Sequence, residues 1–300
     1  MTSKPAVHLS VAYGVVVLIW ATTPLAIQWG AVDSGFSLAA MLRMVLALGC
    51  ALLVLALWRI PLALHRRAIS SYACAGLGLF MAMFCVYWAS TRIESGLMSV
   101  IFGTSPLVTS LLAAWWLQER AFTPLRLAGM LLGLAGLALI FLDGTLVMQP
   151  GFAAGVMALL LGVLCNSASL VGLKVINDDS HPLATTTGAL LVAAPLFALA
   201  WWLDGALWPD SFSLRSSLSI VYLGVLGSVL GFALYYFIVR NMESASVALI
   251  LVITPVLALV VGRVFNAEEL PPEVWWGAIL IGLGLLLHQR QAASVETATG

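Results

Sequence analysis

Ten apolar runs, joined by short polar connections, constrain this chain more than any other feature: about 9–29, 36–58, 69–90, 95–117, 126–143, 151–173, 183–203, 216–239, 245–265 and 273–289. Each is close to the roughly 20 residues that a helix needs to cross the hydrocarbon of a bilayer. Lipid offers no partner to a backbone N–H or C=O, so each run must bond to itself, and none shows the short alternating pattern of a barrel strand. The chain therefore reads as an all-α integral membrane protein with ten transmembrane helices. Composition agrees, with 62% of residues hydrophobic and 9% charged, against roughly 25% charged in soluble domains. The first run follows Lys4 as a signal peptide would, but its length and the runs behind it make it a membrane helix. Zero net charge points away from nucleic acid and leaves the lipid bilayer as the first partner. Cys50, Cys74, Cys85 and Cys165 all sit in apolar runs without metal-ligand or disulfide spacing, so no metal or cofactor is expected.

Lysines and arginines set the orientation, because cytoplasmic ends retain positive charge. With the amino terminus inside, Lys4, Arg59, Arg66, Arg67, Arg120, Arg126, Lys174, Arg240 and Arg290 are cytoplasmic, against Arg92, Arg215 and Arg263 outside. Both termini then lie in the cytoplasm. A second regularity divides the chain: Glu94-Ser95, Pro106 and Glu119 recur as Glu243-Ser244, Pro255 and Glu268, at a constant offset of 149 residues. Tyr87 with Tyr236, Gly78 with Gly227 and Gly133 with Gly282 share that register. Five spans per copy is an odd number, so the two copies enter the membrane from opposite sides as inverted five-helix repeats, 1–149 and 150–291, followed by a cytoplasmic tail, 292–300. Inverted repeats let the halves exchange conformations and expose a midplane site to alternate sides.

Several stretches resemble the drug/metabolite transporter superfamily, in particular its EamA-type members with ten helices in two five-helix units. They are WATTPLAIQW from Trp20, RMVLALGCALLVLALW from Arg43, IESGLMSVIFGTSPLVTSLLAAWWLQER, LAGMLLGLAGLALIF, MESASVALILVITPVLALVVG and AEELPPEVWWGAILIGLGLLL. No counterpart of Arg43 stands near residue 188. The resemblance implies export of amino acids, nucleosides, toxic cations or related metabolites across the inner membrane, driven by protons or by exchange. It also implies a small-molecule substrate and a monomer or homodimer.

Candidate contacts are polar or aromatic side chains set deep in a span. Arg43, about seven residues into the second run, stands roughly 10 Å below the outer boundary. A charge there costs about 2 to 3 kcal/mol or more unless it has a partner or faces a cavity. Two readings are open: Arg43 lines the pathway and attracts a carboxylate, or it makes a structural ion pair. Trp20 beside Thr23, and Trp88 after Tyr87, offer aromatic walls for a planar or cationic ligand, with plain packing as the alternative. The other tryptophans lie near span ends as interfacial anchors. Asn166 and Ser169 interrupt the sixth run, and Tyr235 and Tyr236 the eighth; each reads either as cavity lining or as a bond between helices.

Pro24, Pro106 and Pro255 remove helix donors and mark hinges. Gly129, Gly133 and Gly136, with Gly277, Gly282 and Gly284, read as faces for close helix packing and as a possible dimer surface. Glu94 and Glu243 should begin helices, and Glu119 and Glu268 should lie at span ends near water. An intramembrane enzyme would need a positioned nucleophile, base or metal set; HExxH and GxSxG are absent and the histidines fall outside span centres. The chain reads as a secondary active transporter exporting an amino acid, a related zwitterion or an amphipathic drug. The rival is a structural or sensory membrane subunit without transport.

Overall fold

A single glycine replaces the loop expected between the first two runs. Helix α1 extends over Lys4–Trp58, 55 residues, and only Gly35, at φ 71° and ψ 168°, leaves helical geometry inside it. A side chain at that φ would be strained, whereas glycine adopts it freely. The limbs 4–34 and 36–58 are thus joined by one residue. The computed structural model describes residues 4–118, 124–140, 150–242 and 244–299, and every regular element among them is helical.

The remaining helices follow the apolar runs closely: α2 (Arg66–Ala89), α3 (Ser95–Phe102), α4 (Ser105–Trp116), α5 (Pro124–Ile140), α6 (Phe152–Ile176) and α7 (Pro182–Leu203). Next come α8 (Leu214–Tyr222), a π-helix (Leu223–Leu230) and α9 (Gly231–Asn241), then α10 (Ser244–Asn266) and α11 (Pro272–Thr299). Six helical stretches are long and apolar enough to cross a bilayer, and Leu127–Ile140, Leu214–Leu230 and Pro272–Leu287 are shorter apolar stretches. α3 and α4 are one run interrupted at Gly103 and Thr104, both still in the right-handed helical region. Pro106 falls in the first turn of α4, where its missing N–H removes no helix bond.

Small residues decide which helices touch. A Cβ on Gly136 would stand 2.6 Å from the Gly277 carbonyl oxygen, one on Gly277 2.6 Å from that of Gly136, and one on Gly284 2.5 Å from that of Gly129. The glycine faces read from the sequence therefore hold α5 against α11 within the chain, while Gly282 faces Val252 instead. Gly78 lies against Ser169 where α2 meets α6, and Gly188 lies against the Tyr72 ring where α7 meets α2. Tyr87, Leu97, Ile101, Phe152 and Phe197 are buried in the main core, and Val16, Ile238 and Ile250 form a second core between limb 4–34, α9 and α10. Leu18, Leu53 and Leu131 stay exposed, as helices surrounded by lipid require.

The two ends of the bundle are tied differently. At one end a His65 Nε2 to Asp178 Oδ1 contact of 2.7 Å joins the α1–α2 and α6–α7 connections. At the other, Asp33 accepts from the Ser213 backbone N–H at 2.8 Å and from its hydroxyl, and Ser37 donates to Asp204 at 2.6 Å.

Gly277→Ala sets a methyl against backbone that cannot yield. The expected overpacking cost is about 1–3 kcal/mol, against a gain of at most about 1 kcal/mol in helix propensity. Thermal unfolding in detergent should show a lowered midpoint, while Gly14→Ala, at a position open to space, should not lower it.

Candidate functional site

Arg43 sits on limb 36–58 with 6% of its surface exposed, and its Nη1 has no hydrogen-bond partner. Its Nε reaches the Ser228 hydroxyl at 3.5 Å, the outer limit of a hydrogen bond, and its Cζ stands 6.0 Å from the centre of the Tyr87 ring. No carboxylate among the described residues pairs with it. Tyr87 itself is fully buried, and its hydroxyl also lacks a partner. A guanidinium nitrogen and a phenol hydroxyl, which can itself accept, are thus buried in the bundle without a well-formed hydrogen bond, an arrangement that costs free energy unless something supplies one.

The wall opposite Arg43 is the π-helix. The Ser228 hydroxyl donates to the Leu223 carbonyl, five residues back, at 2.9 Å, which leaves its lone pairs for Arg43. Gly224 lets this segment approach limb 36–58 at Arg43 and Leu46. π-Turns are uncommon and gather at functional sites. Neither Ser228 nor the π-helix was read from the sequence; Gly224, Gly227 and Gly231 around one serine were the available signal. A cavity of about 20 Å³, enough for roughly one water, lies between limb 36–58, α7 and Ser228, lined also by Ala51, Leu55, Thr186 and Thr187. It lies toward the end tied by His65 and Asp178.

The aromatic candidates separate into two groups. Trp20 is half-buried with its ring 4.9 Å from that of Tyr235, and a Cβ on Gly231 would stand 3.6 Å from its Nε1. Thr23 donates to the Ile19 carbonyl of its own helix at 2.7 Å, one turn below the bend expected at Pro24. The neighbouring Thr22 meets the Tyr222 hydroxyl at 2.6 Å, a partner that sequence reasoning also missed. Trp88, by contrast, lies under the Arg92 guanidinium at 3.5 Å, on the α2–α6 side. Ser169 donates to the Cys74 carbonyl at 3.1 Å, joining α6 to α2. Asn166 is half-buried beside Ser167, which bonds to Thr109 and the Ser105 carbonyl. The side chain of Tyr236 lies outside the described residues.

Pro255 meets the interruption between α3 and α4. α10 runs unbroken through a buried Pro255, and a Cβ on Gly103 would stand 3.1 Å from the Pro255 Cγ. The interruption between α3 and α4 thus leans on Pro255.

Glu268 requires a correction. The sequence places it near water at a span end, yet it is 4% exposed. Its carboxylate accepts from the Ser95 N–H at 3.1 Å, the Ser95 hydroxyl at 2.6 Å, the Gly96 N–H at 3.1 Å and the Asn266 amide at 3.1 Å. The α10–α11 connection therefore caps α3, whose first turn would otherwise leave donors unpaired. Asn266 also donates to Gln28 and accepts from Trp29, and Gln28 donates to the Ile93 carbonyl at 2.8 Å. One network thus ties α1, α3 and α10 at this end. Glu94 precedes α3, its carbonyl accepting from the Met98 N–H at 3.0 Å and its side chain making no cap bond; burial first, and the Glu268 charge second, push its carboxyl above the usual range. Glu119 and Glu243 lie outside the described residues.

Residues 11–142 and 153–288 each match the model of the EamA-like transporter family. The chain belongs to the EamA-like transporter family. The transporter is 22% identical over 274 residues to an uncharacterized transporter of Bacillus subtilis, YoaV, covering 91% of this chain and 94% of that one. It is 26% identical over 220 residues to a protein of Streptantibioticus cattleyicolor named "probable terminal-alkyne amino-acid exporter", covering 73% and 72%. A solved structure titled "Crystal structure of protein" shares its fold with a TM-score of 0.65 at 20% identity, over 95% of this chain and 98% of that one. Membership places this EamA-like chain among membrane transporters rather than enzymes.

Two stability predictions follow from the capped end of the transporter. Glu268→Ala leaves the first donors of α3 unpaired and should cost about 1–3 kcal/mol, read as a lower unfolding midpoint in detergent. Glu94 behaves oppositely: because its folded carboxyl holds its proton more tightly than the unfolded one, stability from this group is lost as pH rises above the usual carboxylate range. Glu94→Gln should therefore raise the midpoint at about pH 8, and the gain should vanish near about pH 4.

Proposed function

We propose that this EamA-like chain is a secondary active transporter that exports a small metabolite, an amino acid or related zwitterion or an amphipathic drug, across the inner membrane by alternating access. Ten spans form two inverted five-helix repeats, 1–149 and 150–291, with both termini cytoplasmic and proton or exchange coupling. The protein acts as a monomer or homodimer. The observation that carries the reading is Arg43: a buried guanidinium without a carboxylate partner, facing a π-helix beside a cavity. A membrane protein bears that cost where a polar solute passes.

The inverted arrangement is supported by the two matched stretches and by packing that survives exchange of the halves. Contact of α2 with α6 is answered by contact of limb 4–34 with α8 and α9; contact of α4 with α6 is answered by α10 with limb 4–34. The α5–α11 and α3–α10 contacts map onto themselves. On this reading the 177–181 end is cytoplasmic, and the gap at Ser228 marks the side from which substrate approaches Arg43. The opposite end is held shut by Glu268, Asn266 and Gln28. Pro24, Pro106 and Pro255 are hinges of the exchange, and Trp20, Thr23, Arg43, Tyr87 and Tyr235 line the pathway with Tyr236, Trp88, Asn166 and Ser169 at its margins. Export takes its direction from the relative named an exporter.

Purified protein in lipid vesicles should move at least one of a panel of radiolabelled amino acids and amphipathic drugs with saturable kinetics. Arg43→Ala, folded and inserted, should lower that flux at least about tenfold, the loss of one charge-assisted contact. No saturable flux with any compound would favour the structural or sensory subunit instead.

A further inference from the structure

The site has a chemical preference that follows from what lies between Arg43 and Trp20. Gly227 and Gly231 are four residues apart, close to one turn of this wall, the first inside the π-helix and the second at the start of α9. A Cβ on Gly227 would stand 3.9 Å from Arg43 Nη2, and one on Gly231 3.6 Å from Trp20 Nε1. A bare strip of backbone therefore runs from the guanidinium to the indole. Tyr235, one turn further on, backs the indole with a tilted ring at 4.9 Å. Trp20 remains only half-buried, so part of its ring is free to meet a ligand.

We infer that the substrate is a monocarboxylate carrying a planar group about one helical turn away, with its carboxylate on Arg43 and its planar group on Trp20. This rests on the transport reading above. The guanidinium is a planar fork that matches a carboxylate with two parallel bonds, and Nη1 is the donor left without a partner. The buried Tyr87 ring stands 6.0 Å from the guanidinium carbon. A phosphate dianion would leave a net charge behind, because Arg43 is the one basic residue set in the middle of an apolar run. Among the described residues no carboxylate contacts Trp20; the partner there is a ring face, which suits a flat group stacked at an offset.

The experiment uses 3-phenylpropanoate with two controls: 3-phenylpropanamide, which keeps the ring and loses the charge, and hexanoate, which keeps the charge and loses the ring. Thermal protection of the purified full chain in detergent should follow the order phenylpropanoate, hexanoate, amide, with at least about a tenfold difference in half-saturating concentration between acid and amide, the step expected of one charge-assisted pair. Arg43→Gln should erase the preference for acid over amide. Trp20→Leu should erase the preference for phenylpropanoate over hexanoate and keep that for acid over amide. Arg43→Lys, which keeps the charge should the glutamine variant fail to fold, should retain protection by the acid at reduced affinity. Equal protection by acid and amide, undiminished acid preference in Arg43→Gln, or equal protection by chloride alone would overturn the inference. If vesicles still move some other compound with an unchanged KM in Arg43→Gln, the carboxylate assignment fails while transport stands.

Discussion

A helix that starts at the edge of a membrane brings with it backbone N–H groups that lipid cannot satisfy, and the answer at Ser95 organises one whole end of this molecule. Glu268 supplies an acceptor for two of those groups and for the Ser95 hydroxyl. Because the carboxylate comes from the connection between α10 and α11, the cap also fixes that connection. Asn266 passes the constraint to Gln28 and Trp29 on α1. No basic residue among the described ones pairs with the carboxylate, which is held by the Ser95 and Gly96 backbone, the Ser95 hydroxyl and the Asn266 amide.

Arg43 is the converse case, a buried donor for which the protein offers too few acceptors. A bilayer interior makes such an omission expensive, and well-packed helices could have removed it by placing one aspartate nearby. The fold instead places a serine hydroxyl, a buried phenol and bare glycine backbone around the guanidinium. That surrounding is polar enough to tolerate the charge and leaves one of its donors open.

Much of the scaffold was legible because lipid turns length and apolarity into helix positions with few alternatives. Runs such as 36–58 and 183–203 end within about a residue of limb 36–58 and Pro182–Leu203. The glycines at 136 and 277 were legible for the same reason, since small residues in such helices have little purpose except close approach. Burial of Glu268 was not legible, because proximity to a span end says nothing about which other segment covers the side chain. The π-helix was hidden too: LGVLGSVL is as apolar as its neighbours and carries no residue that demands a five-residue turn. Arg43 announced itself by its cost, but its neighbours Ser228 and Tyr87 come from distant parts of the chain. Gly35 was read as part of a loop because a lone positive φ serves a turn as well as a bend.

That one-residue joint bears on how the protein is made. With no slack at Gly35, limb 36–58 cannot wait in water while limb 4–34 enters the bilayer; a ribosome must deliver the pair to the insertion machinery as one piece. Insertion of a helix with a central arginine carries a penalty of about 2.5–3.5 kcal/mol. The apolar residues around it help to offset that cost, since the stretch LAAMLRMVLALGCALLVL sets this one arginine among leucines, valines and alanines. The joint thus makes the entry of the two limbs a single event.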